Sequence, residues 1–176
     1  MQPKFAYMLI YFLLFCLIFR SIIPELYRTA AERLRRDLEV VEHIGLTTDE
    51  WTSRSTRQYM AVTVHYFKEF VDKRGLHIDL KSTVVSVERV RSATTAVNLS
   101  ESLVRVMTEW NVLQKVHQIT TDNANNIVKA VEHSGKAHVP CFAHCLNLVV
   151  KHTLEHFDGE DGKPPLKQAR EAVRML

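Results

Sequence analysis

Two aspartates set in matching surroundings carry the chemistry this sequence could do. Asp49 ends the Thr-Thr-Asp of Thr47-Thr48-Asp49-Glu50-Trp51, and Asp122 ends that of Thr120-Thr121-Asp122-Asn123-Ala124. Each follows a short apolar run, His43-Ile44-Gly45-Leu46 in one case and Val116-His117-Gln118-Ile119 in the other. A carboxylate at the C-terminal edge of a strand lies where open α/β sheets build their sites. If the two strands are neighbours, Asp49 and Asp122 reach a common divalent cation, and weak binding of Mg²⁺ or Mn²⁺ is expected. Two carboxylates sharing hard metal ions is an arrangement used for phosphoryl transfer on nucleic acids. The alternative is that both are turn residues capping the segments that follow.

A second cluster is Cys141-Phe142-Ala143-His144-Cys145. Cys141 and His144, three apart at a strand-to-helix turn, can both face the strand edge. With His152 and His156 they are zinc-ligand types, but a sequential cluster on one helix makes a poor tetrahedron, so zinc is disfavoured here. A buried cysteine beside a hydrogen-bonded histidine is the competing account. Cys16, Cys141 and Cys145 form no disulfide framework and suit a reducing compartment.

Positioning these residues requires a sheet. A helix is expected from Pro24 to about Glu39, its stripe formed by Leu26, Ala30, Leu34 and Leu38, with the arginines on a solvated face. Gly45–Asp49 reads as the first strand and the β-branched, aromatic run Tyr59–Phe67 as the second. Lys68–Gly75 reads as a hairpin loop, and Ile78–Val87 as the third strand, with Ile78, Leu80, Val85 and Val87 buried. A helix capped by Thr94 or Thr95 carries Ala96, Leu99, Leu103, Val106, Met107 and Trp110 toward the core. Val116–Thr120 then forms a fourth strand, parallel to the first because a helical crossover leads to it. Helix, short strand (Ala137–Cys141) and helix (Ala143–Phe157) follow, and Asp158–Pro165 is rich in breakers. Three antiparallel strands, a helix, then parallel strands alternating with helices is the order of a ribonuclease H-like mixed sheet.

The chain of 176 residues, 46% hydrophobic and 24% charged with net charge +3, suits one globular domain and is too weakly basic to indicate nucleic acid by itself. Phe5–Phe19 is an uninterrupted apolar run behind Lys4. It is short of the roughly 20 residues that span a bilayer, and no small-residue cleavage site follows it. A signal or membrane anchor, a buried helix, and unrelated sequence joined to a domain remain as its readings. The expected organisation is residues 1–20 outside the domain, 21–157 as the domain, and 158–176 as a linker and the start of a helical segment.

The stretches LTTDEWTS, EWNVLQKVHQITTDNANNI and CFAHCLNLVVKHTL resemble, in order, the catalytic-core motifs of the hAT (hobo–Ac–Tam3) transposase superfamily, most of all its domesticated zinc finger BED domain-containing relatives. The resemblance covers roughly Pro24 to His156. It implies that Asp49 and Asp122 match the first two acids of an Asp-Asp-Glu metal triad. Cys141 and His144 match a Cys-x-x-His motif whose histidine lies near the scissile DNA, and Trp51 and Asn123 are motif positions. In that family a metal-activated water cuts one strand, and the new hydroxyl attacks the other to leave hairpins. No residue here matches the third acid, the zinc finger or the dimerisation segment, so Asp49, Asp122 and His144 are expected to be vestigial. The resulting expectation is a nuclear, transcription regulator-like domain that binds DNA or protein partners without cutting. The alternatives are an active metal-dependent nuclease completed by missing segments, and a domain tethered to a membrane through Phe5–Phe19.

Overall fold

The computed structural model describes residues 7, 11, 14–90 and 95–161. A π-helical turn at Ile18–Ile22 leads into helix α1 (Ile23–Val40). Then come β1 (Ile44–Thr52), β2 (Gln58–Asp72), β3 (Gly75–Arg89), α2 (Ala96–Glu109), β4 (Val116–Thr121), α3 (Asn125–His133), β5 (Ala137–Pro140) and α4 (Phe142–Asp161). The five strands form one sheet in the order β3-β2-β1-β4-β5. β1, β2 and β3 pair antiparallel, whereas β4 lies parallel to β1 and β5 parallel to β4. This is the mixed sheet that the element order predicts.

Alternation along the strands sends one set of side chains into the core. Ile44 and Leu46 of β1, Met60, Val62, Val64 and Tyr66 of β2, and Val116 and Ile119 of β4 are buried. Against them pack Leu99, Leu103, Val106 and Met107 of α2 and Ile127, Ala130 and Val131 of α3. Thr95 begins α2 as expected, its Oγ1 accepting from the Asn98 amide at 3.3 Å. The Trp110 indole N–H donates to the Val85 carbonyl at 3.2 Å. Val85 is the extra residue of a bulge between β2 and β3, where Val62 faces Ser86 but Thr63 faces Val84. The indole thus satisfies a carbonyl that the disturbed ladder leaves over.

Several expectations are corrected. In α1 the buried stripe is Ala31, Leu34 and Leu38, whereas Leu26 and Ala30 are exposed. Only the C-terminal half of this helix lies on the sheet, so its earlier apolar residues meet no layer. Lys68–Gly75 is not a loop: β2 and β3 run on to the Asp72–Gly75 pair, with only Lys73 and Arg74 in the turn. Gly75, at φ 120°, supplies the backbone freedom so tight a turn demands. Of the four residues expected inside from β3, only Val85 is buried; Ile78, Leu80 and Val87 are 58–61% exposed on the opposite face. The bulge at Val85 turns Val87 to the other face, whereas Ile78 and Leu80 alternate to the face opposite Val85 and pair with the exposed end of β2. Helix α4 continues through Asp158–Asp161 where composition suggests a linker, and residues 162–165 lie outside the described residues. Among the described residues, no helix is long and apolar enough to cross a membrane. Of the apolar N-terminal run, Tyr7, Tyr11, Leu14, Phe15, Leu17, Ile18 and Phe19 are exposed, and much of the rest lies outside the described residues.

Candidate functional site

Register decides whether the two acids meet. Thr47 of β1 lies opposite Thr120 of β4 in the parallel pairing. Two residues farther along each chain come Asp49, exposed on β1, and Asp122, in the turn just past β4, so both lie at the same edge of the sheet. Asp49 is not the end of its strand as expected: β1 runs to Thr52 because the longer β2 continues the antiparallel ladder, with Asp49 opposite Ala61.

Asp122 sits in a half-buried turn, and its Oδ1 accepts from the Ala124 amide at 3.1 Å. Asp122 thus caps the turn that leads into α3. Asn123 follows in the left-handed region at φ 69°, which asparagine tolerates better than most residues. Its amide N–H donates to Thr121 Oγ1 at 3.3 Å, and its side-chain Nδ2 donates to Cys145 Sγ at 3.4 Å. The Cys141 amide donates to the Thr121 carbonyl at 2.8 Å, tying the start of α4 to the end of β4. Thr121, itself buried, shares a 2.9 Å hydrogen bond with His138 Nε2. Cys141 and Cys145 are thus brought to the Asp122 turn. His144 is half-buried in the first turn of α4, without a hydrogen bond to either acid among the described residues.

The residue that sequence reasoning missed is Glu50. Strand alternation turns it to the opposite face from Asp49, opposite Met60, and leaves it half-buried. Burial raises its pKa above the usual carboxylate range, and the negative charges of Asp122 and then Asp49 raise it further. One of its oxygens, Oε1, is buried without a hydrogen-bond partner, as is Asn123 Oδ1. The signal was present in the sequence, since a Glu directly after a strand Asp must face the core side. These oxygens are hard donors of the kind Mg²⁺ and Mn²⁺ accept. Among the described residues, no three His, Cys, Asp or Glu side chains are grouped to hold one ion.

Beside the acids lies an aromatic surface. Trp51 stacks on Tyr59 with ring centroids 5.6 Å apart and planes 15° from parallel. The ladders place Trp51, Tyr59 and Arg89 in one row across β1, β2 and β3, next to the row of Asp49, Ala61 and Val87. Trp51 and Arg89 are exposed, as are Arg54 and Arg57 in the β1–β2 turn.

A family model described as the ZBED1 RNase-like domain matches residues 47–140, which hold Asp49, Trp51, Asp122 and Asn123. The chain belongs to this ZBED1 RNase-like family. Relatives include human (Homo sapiens) zinc finger BED domain-containing protein 6, 32% identical over 142 residues, covering 76% of this chain and 14% of that protein. A Zea mays protein named as an AC transposase is 28% identical over 151 residues, covering 77% of this chain and 18% of its own. A Talaromyces stipitatus protein named as a transcriptional regulator, tpeD, is 24% identical over 148 residues, covering 77% of this chain and 17% of its own. The chain thus spans less than a fifth of the length of these relatives. Membership in the ZBED1 RNase-like family agrees with the hAT resemblance of the motifs and with the mixed sheet that bears them.

Proposed function

We propose that this RNase-like domain is a transposase-derived nucleic-acid-binding module that works in the nucleus without cutting strands. The observation that carries the reading is the exposed Trp51 stacked on half-buried Tyr59, on the face that bears Asp49, with Arg54, Arg57 and Arg89 around it. Aromatic faces stack on bases without regard to sequence, and arginines hold the backbone. Binding to protein partners would accompany this role, and the name of the tpeD relative, a transcriptional regulator, supports the regulatory reading. The domain would begin at residue 21, and its expected end at 157 moves outward because α4 continues to Asp161.

Asp49 and Asp122 would hold Mg²⁺ or Mn²⁺ weakly, because two carboxylates fit a hard ion but supply only part of its shell. Such an ion would neutralise a nearby phosphate. The acids themselves repel phosphate when no cation is bound, so they set the metal dependence of binding rather than its strength. His144 stands at the same edge as a further phosphate contact.

The test is binding of a labelled oligonucleotide to the full chain, followed by a denaturing gel. Trp51→Ala should lower affinity about 10-fold, in line with the loss of one stacked base. Affinity should also fall steeply with salt. Unchanged affinity in Trp51→Ala overturns the reading. Metal-dependent nicking that disappears in Asp49→Asn would establish the alternative, an active nuclease. The observation favouring that alternative is the partnerless Glu50 oxygen close to both acids.

A further inference from the structure

At the end of β1 and β4 remote from the acids, His43 Nδ1 and His117 Nε2 lie 3.3 Å apart, one donating to the other according to tautomer. The two residues are 74 positions apart in the chain, and both side chains are exposed. Their ring centroids are 5.3 Å apart with planes inclined at 53°, so the rings are tilted and not stacked flat.

The backbone holds this approach in place from both sides. In the β1–β4 pairing Ile44 faces Val116 and Gly45 faces Gln118, which leaves His117 as an extra residue. Bulges are uncommon in parallel pairs and re-aim the side chain they carry. His43 is fixed by its neighbours: the Ile44 amide donates to the Lys115 carbonyl at 3.0 Å. The Lys115 ammonium donates to the Leu38 and Glu39 carbonyls at 2.8 and 2.7 Å, anchoring the end of α1 just before His43. A flexible surface pair would have no such frame.

We propose that His43 and His117 chelate a borderline divalent transition ion, of which Zn²⁺ is the type, at a site separate from the Asp49–Asp122 edge. Two imidazole nitrogens on one tetrahedral zinc, at bonds of about 2.0–2.1 Å, are separated by about 3.3–3.4 Å. That is the separation found here before any ion enters. Imidazole suits zinc, copper and nickel, whereas magnesium and manganese prefer oxygen donors. The pair lines a groove of about 340 Å³ with His65, Gln118 and Leu80. His65 is a neighbour and not a ligand, because its nitrogens are engaged by Thr47 Oγ1 at 2.9 Å and Ser82 Oγ at 2.8 Å. Two positions of a bound ion are therefore open to water or to a side chain of another molecule. The site joins the start of β1 to the start of β4, so an ion there clamps the parallel pair on which the acid edge depends.

The test is thermal unfolding of the full chain with Zn²⁺ alone as probe, reversed by EDTA. Saturating Zn²⁺ should raise the thermal midpoint by roughly 3 °C or more. The rise should be lost in both His43→Gln and His117→Gln, which keep the surface polar, and kept in Cys141→Ser/Cys145→Ser. A large excess of Mg²⁺ should not compete. Nuclear magnetic resonance of the imidazole nitrogens gives a second readout, with His43 and His117 shifting first on titration. A rise that survives His117→Gln, or that vanishes with the cysteine pair, overturns the proposal.

Discussion

Glu50 stands in the folded protein with its carboxyl half-buried and two like charges near it, and its protonation is therefore coupled to stability. Its folded pKa is raised above the reference value of 4.5, so the folded state holds this proton more tightly than the unfolded chain. The contribution is fully present below that value and is lost as pH rises through the folded pKa. Glu50→Gln should therefore stabilise the domain at pH 7 and leave it unchanged near pH 4, as denaturant melts at the two pH values would read. A gain at pH 4 equal to that at pH 7 would mean that repacking, not charge, is responsible. Asp122→Asn should abolish calorimetric binding of Mg²⁺ or Mn²⁺ while the domain stays folded. Equal binding in wild type and variant would rule out a shared site. Of this candidate site, the placement of Asp49 and Asp122 at the same edge of paired strands was legible because the same Thr-Thr-Asp follows an apolar run twice. Of Glu50 only the core-side facing was legible, since its raised pKa comes first from burial and then from the Asp122 charge, 72 positions away in sequence, and neither exists before the sheet assembles. His43 and His117 were invisible for the same reason.

At the scale of elements, the β2–β3 ribbon and its bulge decide which residues the core receives. Trp110→Phe keeps the apolar volume near Val85 but leaves the Val85 carbonyl without its donor, at a cost of about 1–3 kcal/mol. Gly75→Ala should cost a similar 1–3 kcal/mol or so through backbone strain alone, because no atom lies within 4 Å of the added carbon. Chemical denaturation of each variant measures both, and a neutral Gly75→Ala would show that the turn relaxes to another type. Strand and helix identities were readable from period and propensity, from YMAVTVHYF to the α2 stripe. What failed to read were the boundaries and the facing of β3. The charged stretch Lys68–Arg74 has the composition of a loop, yet its backbone stays in register with β3, Lys68 opposite Asp79, as far as the Asp72–Gly75 pair. A one-residue bulge has no sequence signature of its own, and it turned Val87 to the face opposite Val85, while Ile78 and Leu80 lie along the exposed end of β2.

Across the whole molecule, the order β3-β2-β1-β4-β5 places strands far apart in sequence beside one another. The first buried side chain among the described residues of α1 is Ala31, so a chain beginning at Ser21 should melt at the same temperature as the full chain. A fall of several degrees would assign the N-terminal run to the core. The clamp formed by Lys115 on the last carbonyls of α1 has a consequence for how the protein reaches this state. It joins residues 77 positions apart, a closure that carries a loop-entropy cost which local contacts do not. The β2–β3 hairpin, with its two-residue turn, can form within microseconds and without help from the rest of the chain. Docking of α1 and β1 onto β4 must wait for α2 and is expected to follow the rate-limiting step. Lys115→Met should then accelerate unfolding several-fold while leaving the refolding rate nearly unchanged, a division that stopped-flow chevrons resolve. Equal effects on both limbs would place the clamp inside the folding nucleus. The same late step joins His43 to His117 and Asp49 to Asp122, so neither pair can meet an ion until the last strand has docked.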